Sequence, residues 1–139
     1  MNKERQKLKG VIISAGFGTR MLPLTRITPK PLINFLDKTI LSGQLSRFRD
    51  LGLTDVAVNT HHLSDAMHSY LSSNSSGLNI FTSYEETLLG SGGAYGAMHR
   101  WRNNFDIISV NADIVTDINL NELIDSIKKK PESKDTAIC

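Results

Sequence analysis

Val11-Ile12-Ile13-Ser14-Ala15-Gly16-Phe17-Gly18-Thr19-Arg20 runs a short apolar strand into a glycine turn and then a cation. Branched apolar residues in a run of this length read as a buried strand. Glycine tolerates positive φ and close backbone approach, so the turn can present N–H groups to a phosphate. Pro23-Leu24-Thr25 and Thr28-Pro29-Lys30-Pro31-Leu32 follow, a loop stiffened by prolines and carrying a second cation. Arg20 offers a planar fork of donors suited to phosphate oxygens, and Lys30 a compact point charge. A polyphosphate held at the end of a strand is the simplest reading.

Two commoner phosphate loops are excluded by spacing. No Gly-x-x-x-x-Gly-Lys-Ser/Thr string occurs, which removes a P-loop. A dinucleotide fingerprint needs a small third residue where this chain has Met21, and Pro23 falls where a helix should begin.

Outward from this stretch, strand-like and helix-like periods alternate, which predicts an α/β layered fold with a mainly parallel sheet. Val11–Ser14 is the first strand. Ile40, Leu41, Leu45, Phe48 and Leu51 form a helical apolar face that Gly52 ends. Residues 55–59 form a second strand, and Leu63, Met67, Tyr70 and Leu71 mark a second helix running to the Ser72–Gly77 loop. Leu78–Tyr84 is a third strand. Ala94, Ala97, Met98 and Trp101 recur at helical spacing, so the glycine pair Gly92-Gly93 opens a helix. Phe105–Val110 is apolar enough to be a central strand. Asn119-x-x-Glu122 forms a capping box before the stripe Leu120, Leu123, Ile124 and Ile127, with Lys128, Lys129 and Lys130 at the cation-favouring end. Thr136–Cys139 reads as a fifth strand at which the sequence stops, leaving an edge exposed to self-association.

Composition narrows the class. The 139 residues fit one domain, read as a tail over residues 1–9 and a folded part over 10–139. A hydrophobic fraction of 40% and a charged fraction of 22% are those of an ordinary globular protein. A formal charge of +2 gives no argument for nucleic acid or an anionic membrane as partner. Lys3, Arg5, Lys7 and Lys9, diluted by Glu4 and Gln6, read as a solvated tail. The N-terminus lacks the apolar core of a signal peptide, and the single Cys139 forms no internal disulfide, so a reducing cytoplasm is expected.

The run Gly-x-Gly-Thr-Arg-x-x-Pro-x-Thr…Pro-Lys-Pro-Leu resembles the signature loop of the sugar-1-phosphate nucleotidyltransferases. Leu89-Gly90-Ser91-Gly92-Gly93-Ala94 is similar to that family's base-binding loop, and Val110-Asn111-Ala112-Asp113 to its Asn-Gly-Asp metal motif. Val58-Asn59-Thr60-His61-His62-Leu63 is similar to the branch using mannose 1-phosphate with GTP or N-acetylmuramate 1-phosphate with UTP. The resemblance covers residues 9 to 139 and implies a Rossmann-like three-layer sandwich, truncated after its fifth strand.

It also implies a chemistry: a sugar-phosphate oxygen attacks the α-phosphorus of a nucleoside triphosphate and expels pyrophosphate. Arg20 would bind the leaving pyrophosphate, Lys30 would steady the α-phosphate, and Asp113 would hold Mg²⁺. Ala15, Gly16, Gly18, Thr19, Gly90, Gly92, Gly93 and Asn111 would join Arg20 in binding the nucleotide. Asn59 and Asn111 either contact substrate or complete turns, Asp117 reads as a turn residue, and Glu85 and Glu86 read as exposed. The histidines, at no metal-site spacing, read as structural. Two departures stand out: Ala112 replaces the usual glycine, and Ser14 a small apolar residue. The resemblance implies that a second metal-binding aspartate and most sugar contacts fall beyond Cys139, to be supplied by a C-terminal partner or by the missing half of a longer product. A nucleotide-binding module without turnover, and a nucleotidyltransferase acting on a non-sugar phosphate such as phosphocholine, stay open beside this reading.

Overall fold

The computed structural model describes residues 7–128. In chain order the elements are β1 (Leu8–Ile13), β2 (Asn34–Phe35), β3 (Lys38–Thr39), α1 (Ile40–Asp50), β4 (Asp55–Thr60) and α2 (Ser64–Ser73). They continue with β5 (Asn79–Tyr84), α3 (Gly90–Ala97), α4 (His99–Arg102), β6 (Asp106–Asn111) and α5 (Leu120–Lys128). Four strands pair in parallel in the order β5-β4-β1-β6, while β2 and β3 form a separate antiparallel hairpin. The expected mainly parallel α/β sheet is thus present.

The period of two along each strand divides the core. Ile12, Val56 and Val58 face one side, where α1 supplies Leu41, Leu45 and Phe48, and α2 supplies Met67 and Leu71. Leu120, Leu123 and Ile124 of α5 join that layer. Val11 and Ala57 face the other side, against Met98 and Trp101. Two apolar faces on one sheet require two covering layers, which makes the fold α/β/α.

Topology then fixes where a ligand can sit. From β1 the chain builds outward through α1 to β4 and through α2 to β5. It then returns past β1 to lay down β6 on the opposite side. Right-handed crossovers running in opposite directions place their helices on opposite faces. The direction reverses between β1 and β6, and the carboxyl ends of the strands at such a point are the general binding position in open parallel sheets. Ile13 and Asn111 are register partners at that end, and the Ala112 N–H donates to the Ile13 carbonyl at 2.9 Å.

One expectation is corrected. Leu8 and Lys9 belong to β1 and not to a tail; the Lys9 ammonium donates to the Trp101 carbonyl at 2.7 Å and lies over the Trp101 and Phe105 rings. Among the described residues β1 and β4 are flanked on both sides, and β6 pairs with β1. The glycine pair opens a helix as expected, with Gly90, Gly92 and Gly93 in the first turn of α3. The Asn119 cap is present, its side chain accepting from Asn121 N at 3.0 Å. The Thr136–Cys139 strand, and Lys129 and Lys130, lie outside the described residues.

Gly10 marks the tightest approach of helix to sheet: a Cβ there would stand 2.7 Å from Phe48 Cδ2 and 3.1 Å from Val56 Cγ2. Gly10→Ala should destabilise the fold by about 1–3 kcal/mol through overpacking, read from the denaturant midpoint. Adding Phe48→Leu should cost less than the two single changes summed; strict additivity would show that the ring does not set the limit.

Candidate active site

A cavity of about 320 Å³ opens at the β1/β6 strand ends, within the range that small-molecule sites occupy. Its lining includes Ala15, Gly16, Gly18, Thr19, Arg20, Lys30, Asn111 and Asp113. Residues separated by up to 98 positions thus meet in one place. From the remaining predicted set, Gly90, Gly92 and Gly93 do not line it; their neighbour Ser91 does. Gly93 has a packing reason, since a Cβ there would fall 2.5 Å from the Leu89 Cβ.

The turn after β1 is held by its own polar groups. Asn59, buried at the end of β4, accepts from Ser14 N at 2.5 Å and more weakly from Ala15 N at 3.3 Å. The Ser14 hydroxyl donates to the Asn59 carbonyl, which gives this departure from the family pattern a bonding role. Gly16 N donates to the Ser14 carbonyl at 2.9 Å. The N–H groups of Ser14, Ala15 and Gly16 are therefore committed inside the protein. Those of Phe17, Gly18, Thr19 and Arg20 have no acceptor among the described residues and are the donors a phosphate could use.

Thr25 locks the same turn from below. It is 1% exposed, its hydroxyl donates to the Gly18 carbonyl at 2.9 Å, and its own carbonyl bonds His62 Nε2 at 2.8 Å. Gly18 has φ +64°, and a Cβ on it would meet Thr25 Cγ2 at 2.8 Å. Gly16 differs: no atom lies within 4 Å of its hypothetical Cβ. The folded protein alone does not require glycine there, whereas a ligand lying against the backbone would.

The two cations stand in different states. Arg20 is exposed and has no acceptor among the described residues, so its guanidinium is available to an incoming anion. Lys30 Nζ donates to Asp113 Oδ2 at 2.7 Å, with side chains 24% and 40% exposed. An ion pair this open to water is worth about 0–1 kcal/mol, so a polyphosphate can displace it at little cost. Pro31 is buried and anchors the loop that carries Lys30.

Asp113 follows the end of β6, beside Asn111, while Asp117 is exposed and lies outside the cavity lining. Ala112 is 2% exposed and packs into the core cluster, so the methyl group that replaces the family's glycine adds to the hydrophobic layer. No group of three or more metal-ligating side chains occurs among the described residues. A single carboxylate still fits a cation that arrives with phosphates, because Mg²⁺ typically takes one or two carboxylates and completes its shell with phosphate oxygens and water.

Sequence reading missed Glu85, which is buried and not exposed; Glu86 is exposed as expected. A glutamate just past a strand gives no local sign of burial, and only the alignment of β5 beside β4 reveals it. His61 bonds the Glu85 carbonyl through Nδ1 at 2.8 Å, and His68 Nε2 bonds Thr60 Oγ1 at 3.1 Å, both structural contacts.

A family model described as nucleotidyl transferase matches residues 9–139, and the chain belongs to that family. It is 31% identical over 122 residues to a mannose-1-phosphate guanyltransferase from Debaryomyces hansenii, covering 85% of this chain and 34% of that protein. It is 28% identical to mannose-1-phosphate guanyltransferase beta-B from Xenopus laevis, covering 84% and 34%. A Bacillus anthracis protein assigned as a glucose-1-phosphate thymidylyltransferase shares the fold, with TM-score 0.79 and 19% identity over 90% of this chain and 52% of that one. The chain spans about a third of the length of the curated relatives it matches. No helix among the described residues is long and apolar enough to cross a membrane.

Gly16→Ala should leave stability within about 0.5 kcal/mol of the parent and weaken triphosphate binding. Gly18→Ala should lower both, with a stability loss of about 1–2 kcal/mol from the left-handed backbone alone. Thermal melts paired with calorimetric titration separate the two, and a stability loss at Gly16 would show that its role is structural.

Proposed function

We propose that this chain carries the nucleotide-binding part of a sugar-1-phosphate nucleotidyltransferase, with mannose 1-phosphate and GTP as the preferred pair. The observation that supports this most is the convergence of Arg20, Lys30 and Asp113 on the β1/β6 crevice next to a turn with free N–H groups. The curated relatives named above act on mannose 1-phosphate, which favours that sugar.

In the proposed reaction a phosphate oxygen of the sugar 1-phosphate forms a bond to the α-phosphorus. The bond from that phosphorus to the bridging oxygen breaks, and pyrophosphate leaves with the electron pair. Positioning and charge neutralisation supply most of the acceleration in such transfers. Arg20 holds the departing pyrophosphate through its guanidinium fork. Lys30 exchanges Asp113 for the α-phosphate oxygens, whose charge grows in the transition state. That exchange leaves the Asp113 carboxylate to a divalent cation. Mg²⁺, when bound, neutralises charge on the phosphate oxygens. A C-terminal partner or the remainder of a longer chain would contribute sugar contacts and a second carboxylate.

Titration with GTP, UTP, dTTP and ATP, with and without Mg²⁺, followed by a pyrophosphate-release assay with mannose 1-phosphate, tests this reading. Asp113→Asn should remove the gain that Mg²⁺ gives to nucleotide binding while leaving metal-free binding in place. Lys30→Ala should lower kcat by about 10- to 100-fold with a smaller change in the KM for nucleotide, because its contact strengthens in the transition state. An unchanged kcat would remove Lys30 from the mechanism. Binding without sugar-dependent release would favour a nucleotide-binding module without turnover.

A further inference from the structure

Glu85 is a carboxylate only 2% exposed, and none of the chemistry above uses it. Burying an ionisable group has a cost that its partners must offset. Both oxygens are engaged: Oε1 accepts from Asn59 Nδ2 at 2.8 Å, and Oε2 accepts from Leu89 N at 3.0 Å. Asn59 in turn accepts from Ser14 N and Ala15 N through its Oδ1. A continuous path of hydrogen bonds therefore runs from the turn after β1, through two buried side chains, to the residue that precedes α3. The backbone reinforces it, since Glu85 N donates to the Thr60 carbonyl at 2.8 Å.

The two ends of this path are not arbitrary parts of the fold. Ser14 and Ala15 line the cavity at one end, and Ser91, two residues after Leu89, lines it at the other. A carboxylate suits the middle position because it accepts at both oxygens. An amide offers one acceptor and would turn its NH₂ toward one of the two donors. We propose that Glu85 is a positioning residue that sets the spacing between the phosphate turn and the start of α3. Both ends of one nucleotide, triphosphate and nucleoside, are thereby met at the same time. This rests on the nucleotide-binding reading above.

The test compares two probes on the full chain, the nucleoside triphosphates and inorganic tripolyphosphate, which lacks the nucleoside. Glu85→Gln should weaken binding of the preferred nucleoside triphosphate by about tenfold. Tripolyphosphate affinity should stay within about twofold, because Asn59 still holds Ser14 and Ala15. Equal losses for both probes, or no loss for either, would overturn the proposal. Should Glu85→Gln fail to fold, amide exchange in the parent chain decides. The saturating nucleoside triphosphate should slow exchange at Leu89 well beyond what saturating tripolyphosphate does, and equal rates with the two probes would contradict the coupling. If the parent chain binds neither probe, the nucleotide-binding reading itself fails, an outcome distinct from normal binding with an indifferent Glu85.

Discussion

The buried Asn59 side chain is the constraint on which the site depends. One amide oxygen receives N–H groups of Ser14 and Ala15, and its NH₂ reaches the Glu85 carboxylate. A glycine turn has many accessible conformations, and its ordering has to be supplied by its surroundings. The end of β4 and the turn after it supply it: Asn59 grips the start of the glycine turn, and His62 grips Thr25, which holds Gly18. The peptide groups nearest the sheet are thereby used up, and the unpaired N–H groups are pushed one turn further out, at Phe17 to Arg20. Of these residues Gly18, Thr19 and Arg20 line the cavity.

Sheet topology and charge act together around this point. The crevice lies where the direction reverses between β1 and β6, and the same reversal brings Asp113 to face Lys30 across it. Their ion pair keeps a cation and an anion aimed into the cavity at modest energetic worth. The pair is weak enough to be exchanged for phosphate and metal, and short enough to hold both side chains in place. A stronger, fully buried pair would be costly to open. The chain covers about a third of its curated relatives' length, and the proposed transfer assigns to it the nucleotide side of the chemistry.

Much of this was legible in the sequence. The run from Val11 to Arg20, the helical spacing from Ile40 to Leu51 and the apolar strand before Asp113 place β1, α1 and β6 to within a few residues. The site residues around Gly16, Lys30 and Asp113 were nameable because each sits in a compact local motif. What was not legible depends on lateral neighbours. Phe105–Val110 is legible as an apolar strand, yet its pairing with β1 is set by crossover topology. Lys9 sits in a basic N-terminal stretch, yet the Trp101 and Phe105 rings and the Trp101 carbonyl fix its ammonium. Glu85 has no local signature because its partners, Asn59 and Leu89, are reached only once β4 and β5 are paired.

The proposed chemistry turns on whether the β1/β6 crevice takes a nucleoside triphosphate. The most direct measurement is an amide chemical-shift map of the chain during titration with Mg²⁺ and GTP. The largest shifts should fall at Phe17 to Arg20, with Lys30 and Asp113 moving in step and smaller changes around Ser91. Shifts confined to another surface, such as the apolar groove between Phe35 and Val115, or no shifts at all, would contradict binding in the crevice.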